Sequence, residues 1–265
     1  ACAARVAAMD SAVMSLPEVK LGLLPGGGGT QRLTRLVGIQ KAPDMMLTGK
    51  NIYAYPAKKM GLVDRVASVP ALLNAAIFLA GELVKGPLKR KDSRPFVAKL
   101  LEGNPLTRGI IFKKTKEMVD RQTKGNYPAP YEIIKCVETG IEKGASTGYA
   151  EERQRFANLI LTPESFQLRG IFFAMTEKKK NPQKELARRI DTIGMLGAGF
   201  MGAGIAEVSA AKDIRVLLKD IRQETLSQAK QTVWSTIGKR VKQRAMPQLE
   251  ADRLMNRIVG QLDFA

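Results

Sequence analysis

Apolar positions recur at different periods along the chain, and each period predicts a different kind of element. Over residues 1–70 short apolar runs alternate with glycine-rich turns. Arg5-Val-Ala-Ala-Met and Val19-Lys-Leu-Gly-Leu-Leu predict two buried strands, the second ending at Pro25-Gly-Gly-Gly-Gly29. Leu33, Leu36 and Val37 then share one face of a helix starting at Thr30. Two shorter helices, over 41–47 and 56–60, stop at Gly49 and Gly61, and Leu62-Val-Asp-Arg-Val predicts a return to extended chain. From residue 71 the period becomes helical. Helices are predicted over 72–85, 94–101 and 107–124, and Ile133, Ile134, Val137 and Ile141 form a further apolar stripe. Thr162-Pro-Glu caps another helix, whose Phe166, Leu168, Ile171, Phe172 and Phe173 read as core rather than as a cofactor box. A charged loop is expected over 86–95, and Lys178-Lys-Lys-Asn-Pro-Gln-Lys184 reads as a solvated hinge.

Past the hinge the pattern changes again, to strand, glycine turn, helix, strand. Ile193, Met195 and Leu196 predict a short buried strand, and Gly197, Gly199 and Gly202 form a G-x-G-x-x-G turn leading into an Ala-rich helix. Gly197 permits the tight turn, Gly199 admits a pyrophosphate to the backbone amides, and Gly202 lets helix and strand pack closely. The second strand ends at Asp220, 18 residues past Gly202. That lies near the spacing of about 20 residues at which a carboxylate reaches the adenosine ribose. The order of elements predicts a dinucleotide site, and the alternative is a tight connection that binds no phosphate. An acidic residue at 220 favours NAD over NADP, while Arg222 acts in the other direction. Beyond it, Leu226, Val233, Ile237 and Val241 form one face of a long helix whose remaining surface is basic.

The 45% hydrophobic content of these 265 residues supports a packed core, and no uninterrupted apolar stretch is long enough to span a membrane. Cys2 and Cys136 lack metal or redox spacing, so buried free thiols in a reducing compartment are expected. No metal site is expected either. The net charge of +18 would suit nucleic acid, an anionic membrane surface or a polyanionic small ligand such as coenzyme A. Its cations are not interleaved with aromatics, so no nucleic-acid partner is expected, and charge-driven nucleic-acid binding stays open only as a third reading. There is no histidine, so the chemistry of these residues proceeds without an imidazole acid or base. Neither end looks like a natural terminus, and both are expected to be cuts in a longer protein.

Pro17-Glu18 followed by the four-glycine turn could position a water molecule, or Glu18 could be a solvated strand start. Here a resemblance adds to the reading. Leu16-Pro-Glu-Val-Lys-Leu-Gly-Leu-Leu-Pro-Gly-Gly-Gly-Gly-Thr-Gln-Arg-Leu resembles the enoyl-CoA hydratase (crotonase) signature. Asp44-Met-Met-Leu-Thr-Gly-Lys and Ala57-Lys-Lys-Met-Gly-Leu-Val-Asp resemble its continuation. With Gly-Ala-Gly-Phe-Met-Gly at 197–202, and with Gln122-Thr-Lys-Gly-Asn-Tyr-Pro-Ala-Pro and Gly140-Ile-Glu-Lys-Gly-Ala-Ser-Thr-Gly-Tyr between, the whole chain is similar to the α-subunits of fatty acid oxidation complexes, the bacterial ones most of all.

The resemblance implies an α/β protein in three parts. These are the C-terminal part of a crotonase-type fold over 1–70, a helical linker over 71–187, and the start of a Rossmann-type NAD-binding domain over 188–265. It implies hydration of trans-2-enoyl-CoA to (3S)-3-hydroxyacyl-CoA and oxidation of that product with NAD. Glu18 is then one of two catalytic glutamates and Gly26 lies beside it at the coenzyme A thioester. Gly197, Gly199 and Gly202 hold the pyrophosphate, Met201 touches the cofactor and Asp220 binds the ribose. The implied partner is a thiolase β-subunit, and the implied location is the bacterial cytoplasm, or the mitochondrial matrix in a near relative. The family's second glutamate, its oxyanion amides and its histidine base have no counterpart here, so the chain alone is expected to be inactive. The reading from another class is a non-catalytic module that binds a nucleotide or an acidic partner.

Overall fold

The computed structural model describes residues 2–88, 94 and 96–264, which fall into two units, Ala1–Asn181 and Pro182–Ala265. Residues 89–93 and 95 of the expected charged loop lie outside the described residues. The first unit begins with β1 (Val6–Ala8), β2 (Val13–Met14), a 3-10 turn at Glu18–Leu21, α1 (Gly29–Thr48), β3 (Ile52–Tyr53), α2 (Ala54–Lys59) and β4 (Arg65–Ala67). It continues with α3 (Leu72–Lys85), α4 (Phe96–Gly103), α5 (Pro105–Thr123), α6 (Pro128–Glu142), α7 (Ala145–Ile160) and α8 (Pro163–Lys178). β1 pairs in parallel with β4, Val6 opposite Arg65, and β2 pairs antiparallel with β3, Val13 opposite Tyr53.

The helix starts and stops follow from local chemistry. Asn104 and Thr162 accept hydrogen bonds from the amides of Leu106 and Ser165, and so cap α5 and α8. α1 breaks at Gly38, where φ is 89°, which is why its sequence reads as two helices. The core of this unit joins Leu24, Leu33, Val37, Met45 and Met46 to Phe112, Val119, Ile133, Ile134 and Val137, with α6 packed on α1 and α5 on α6.

Three expectations are corrected in this unit. The segment Val19-Lys-Leu-Gly-Leu-Leu is not a strand. Lys20 N–H and Gly22 N–H turn back to the carbonyls of Pro17 and Val19, and Gly22 takes a left-handed φ of 67°. Val19, Leu23 and Leu24 are nevertheless buried, so burial without extension produced the apolar run. Next, the aromatic stripe of α8 is not core. Ser165 seats the start of α8 against the Glu18 turn, while Phe166 and Phe173 are 66% and 65% exposed and Ile171 and Phe172 also face solvent. Finally, Cys136 is buried but Cys2 is exposed.

The second unit consists of β5 (Thr192–Leu196), α9 (Phe200–Ala210), β6 (Arg215–Lys219), α10 (Gln223–Lys242), α11 (Gln248–Asn256) and β7 (Ile258–Gln261). Its three strands form a parallel sheet in the order β5–β6–β7, with Ile193 beside Val216 and Val216 beside Ile258. Those side chains and Leu218 meet Ala203, Ala206, Leu226, Val233 and Ile237 of the helices. β5 is an edge strand, and its alternate residues Thr192, Gly194 and Leu196 are exposed, Leu196 by 67%. The expected short buried strand is therefore covered on one side, and Leu196, expected within it, is exposed. Among the described residues no helix is long and apolar enough to cross a membrane.

Candidate functional site

Glu18 opens the 3-10 turn rather than a strand. Its side chain is partly buried, and Oε2 is fully enclosed with no hydrogen-bond partner among the described residues. A buried carboxylate oxygen without a hydrogen-bond partner is costly, so this one sets Glu18 apart from the satisfied polar groups around it. Two neighbours hold the turn from behind: the Tyr127 hydroxyl donates to the Val19 carbonyl, and the Ser165 hydroxyl donates to the Leu21 carbonyl at 3.0 Å. Gly22 is required here, because a Cβ would stand 2.8 Å from the Ser165 backbone.

The glycine loop follows. Gly26 sits under the Phe156 ring, and Gly27 and Gly28 take φ values of 63° and 86° before α1 begins. Gly28 N–H, Thr30 N–H and the Thr30 hydroxyl all donate to the carboxylate of Glu152 on α7. Gln31, also buried, donates from Nε2 to the Cys136 carbonyl at 2.8 Å. Glu152 was not singled out from the sequence, because a Glu within a charged Ala-Glu-Glu-Arg-Gln-Arg run looks like solvated helix surface. Gly29 also borders an apolar groove of about 270 Å³, lined by Met14, Leu16, Leu33, Leu36 and the stems of Arg5 and Arg32. Glu18 and Gly26 are not part of that lining.

The other five predicted residues come together in the second unit. Gly197 N–H donates to the Lys219 carbonyl at 2.8 Å, which ties the turn to the end of β6. Gly197 has a φ of 91°, and a Cβ on Gly202 would lie 1.9 Å from the Gly197 carbonyl oxygen, so turn and helix are in contact through glycine. Gly199 caps α9 from the open side, with nothing within 4 Å of where a Cβ would project. The first-turn amides of α9 have no intrahelical acceptor and carry the positive end of the helix dipole. Met201 is exposed beside them.

Asp220 accepts the Ala198 N–H at 2.8 Å through Oδ2, and that bond lowers its pKa from the ordinary carboxylate value. It also lines an open pocket of about 360 Å³ with Leu196, Gly197, Lys219, Ile221 and Phe264. An open amide cradle beside an ionised carboxylate in a mostly apolar pocket fits the pyrophosphate, ribose and adenine of a dinucleotide.

Comparison with known proteins matches the two units to different families. Residues 1–119 match the enoyl-CoA hydratase/isomerase family, and residues 192–265 match the 3-hydroxyacyl-CoA dehydrogenase, NAD binding domain family. The fatty acid oxidation complex subunit alpha of Shewanella amazonensis is 47% identical over 261 residues, covering 96% of this chain and 36% of that protein. Its namesake from Shewanella loihica is 46% identical over 259 residues, again covering 96% and 36%. This chain therefore spans about a third of the length of those relatives. The crystal structure of 3-hydroxybutyryl-CoA dehydrogenase from Escherichia coli K12 is 32% identical over 29% of this chain and 16% of that one, with a TM-score of 0.28.

Proposed function

We propose that this chain is part of a β-oxidation protein that hydrates trans-2-enoyl-CoA to (3S)-3-hydroxyacyl-CoA and then oxidises that product with NAD to 3-ketoacyl-CoA. The observation that carries the reading is the succession, in one chain, of a hydratase-type turn with an unsatisfied buried Glu18 oxygen and a dinucleotide-type turn ending in Asp220. Glu18 exchanges a proton with the water that adds across the double bond, and the loop at Gly26 flanks the thioester. Bound NAD supplies the hydride acceptor. The amides after Gly199 hold its pyrophosphate, Gly197 and Gly202 give those amides their geometry, Met201 borders the cofactor, and Asp220 binds the adenosine ribose and disfavours the NADP phosphate.

The division into 1–70, 71–187 and 188–265 as hydratase-type part, helical linker and NAD-binding part belongs to the same proposal. So do a thiolase β-subunit as partner and the bacterial cytoplasm as location, both supported by the bacterial relatives named as subunits of a complex. The test is calorimetric titration of the chain with NAD and NADP. NAD should bind, NADP more weakly, and Asp220→Ala should erase the difference. A folded chain that binds neither would sink the dehydrogenase half. Steady-state hydration of crotonyl-CoA by these 265 residues should be negligible, because the oxyanion donors are worth about 10²–10³ in rate each.

A further inference from the structure

Among the described residues Glu152 is a carboxylate that is buried, 2% exposed, and its hydrogen bonds come from backbone amides and a hydroxyl rather than from a cation. Burying a carboxylate is expensive unless donors replace its water. Here the donors are two backbone amides and a hydroxyl of one short segment, Gly28 to Thr30. That segment is the start of α1, where Gly28 is the capping position and has no side chain to offer the free amides. Glu152 supplies the missing cap from 124 positions away, with its negative charge at the positive end of the α1 dipole.

The same helical region also reaches the Glu18 turn, through Tyr127 to the Val19 carbonyl and Ser165 to the Leu21 carbonyl. Both flanks of the Leu21–Thr30 stretch are thereby fixed to helices α6, α7 and α8. We propose that Glu152 is a positioning residue that fixes the glycine loop beside Glu18, so that the helical region acts as the template for the hydratase-type site rather than as a connector. The claim about the loop stands on geometry alone, and its bearing on catalysis rests on the reading of Glu18 given above.

The test uses the whole 265-residue chain. Backbone amide resonances and hydrogen exchange of Gly28 and Thr30 are compared in the parent, Glu152→Ala, Glu152→Gln and Leu159→Ala, the last a buried control on the same helix. Loss of the carboxylate should speed exchange of the two amides by about tenfold or more beyond any global change. Glu152→Gln keeps one acceptor oxygen and should fall between parent and Ala. Formate or acetate should fill the space left in Glu152→Ala and return the loop resonances towards their parent positions in a saturable way, with no such effect on Leu159→Ala. Loop exchange that only follows global stability, or loop resonances insensitive to both substitution and formate, would overturn the proposal. If Glu152→Ala does not fold, Glu152→Gln and Thr30→Val carry the same comparison. A positive loop result with no bound enoyl-CoA analogue in an otherwise complete protein would leave Glu152 in place and remove Glu18.

Discussion

Gly199 and Gly202 sit in one motif but meet opposite surroundings, so substituting each with alanine separates cofactor binding from folding. At Gly202 the added Cβ would lie 1.9 Å from a backbone oxygen, where real contacts stay beyond 3.0 Å. Turn and helix would have to part by more than 1 Å, and neither can yield cheaply, because Gly197 is tied to β6 and Ala203 and Ala206 are core. Overpacking of this severity costs about 2 kcal/mol or more, which in a unit this size lowers its Tm by roughly 8–16 °C. At Gly199 φ is −66° and the Cβ meets nothing, so Gly199→Ala loses only the small preference of a capping glycine, about 0.5–1 kcal/mol. On the proposed reading its methyl group, however, would enter the open space beside the first amides of α9 where the NAD pyrophosphate is held. Loss of one or two charge-assisted hydrogen bonds should weaken NAD by roughly 10–100-fold. Calorimetric titration and thermal unfolding of the two variants provide the comparison. Equal stabilities for the pair, or an unchanged NAD affinity in Gly199→Ala, would refute the assignment of the turn.

Thiol labelling at pH 8 should consume Cys2 at once and leave Cys136 untouched until the chain unfolds, because burial pushes the Cys136 thiol up to about 12. Two fast equivalents would contradict the packing of α6. The Asp220 carboxyl is held below its ordinary value by the Ala198 amide. Its hydrogen bond should therefore be complete above the usual aspartate pKa of about 3.9 and lost only as pH falls below that value, and an Ala198 amide shift that titrated higher would count against it. Phe173→Ser should change stability by no more than about 0.5 kcal/mol in denaturant melts, since the ring faces solvent. A cost above about 2 kcal/mol would restore the stripe to the core.

The two units differ in how far their sites could be read from sequence, and the difference is one of range. In the second unit every residue of the cradle lies within 24 positions, and strand, turn, helix and strand follow one another in space as in sequence. Period and spacing therefore suffice to bring the turn and Asp220 together, which is what the Ala198–Asp220 hydrogen bond shows. What they miss is coverage: Ile193 and Met195 face α9 while Leu196 faces outward, and no local pattern says whether a second layer covers that side. The aromatic stripe of α8 fails for the same reason. Helical spacing reports that apolar residues share a face, and only tertiary structure reports whether that face has a partner.

In the first unit the decisive contacts are long-range. Val19-Lys-Leu-Gly-Leu-Leu carries the apolar density of a strand, but Pro17 and Gly22 bend it and Tyr127 and Ser165 satisfy the carbonyls that a neighbouring strand would otherwise take. A polar backbone can be buried without a ladder when side chains from elsewhere supply its partners, and here those partners lie more than a hundred positions downstream. The same holds at the loop, where three donors with no local acceptor converge on Glu152. Glu18 itself is the exception, since its Oε2 is enclosed and receives none of these compensations. Among the described residues, then, side chains of the surrounding helical region satisfy the backbone of the turn while the Glu18 Oε2 stays without a partner, and it is this contrast on which the proposed role of Glu18 rests.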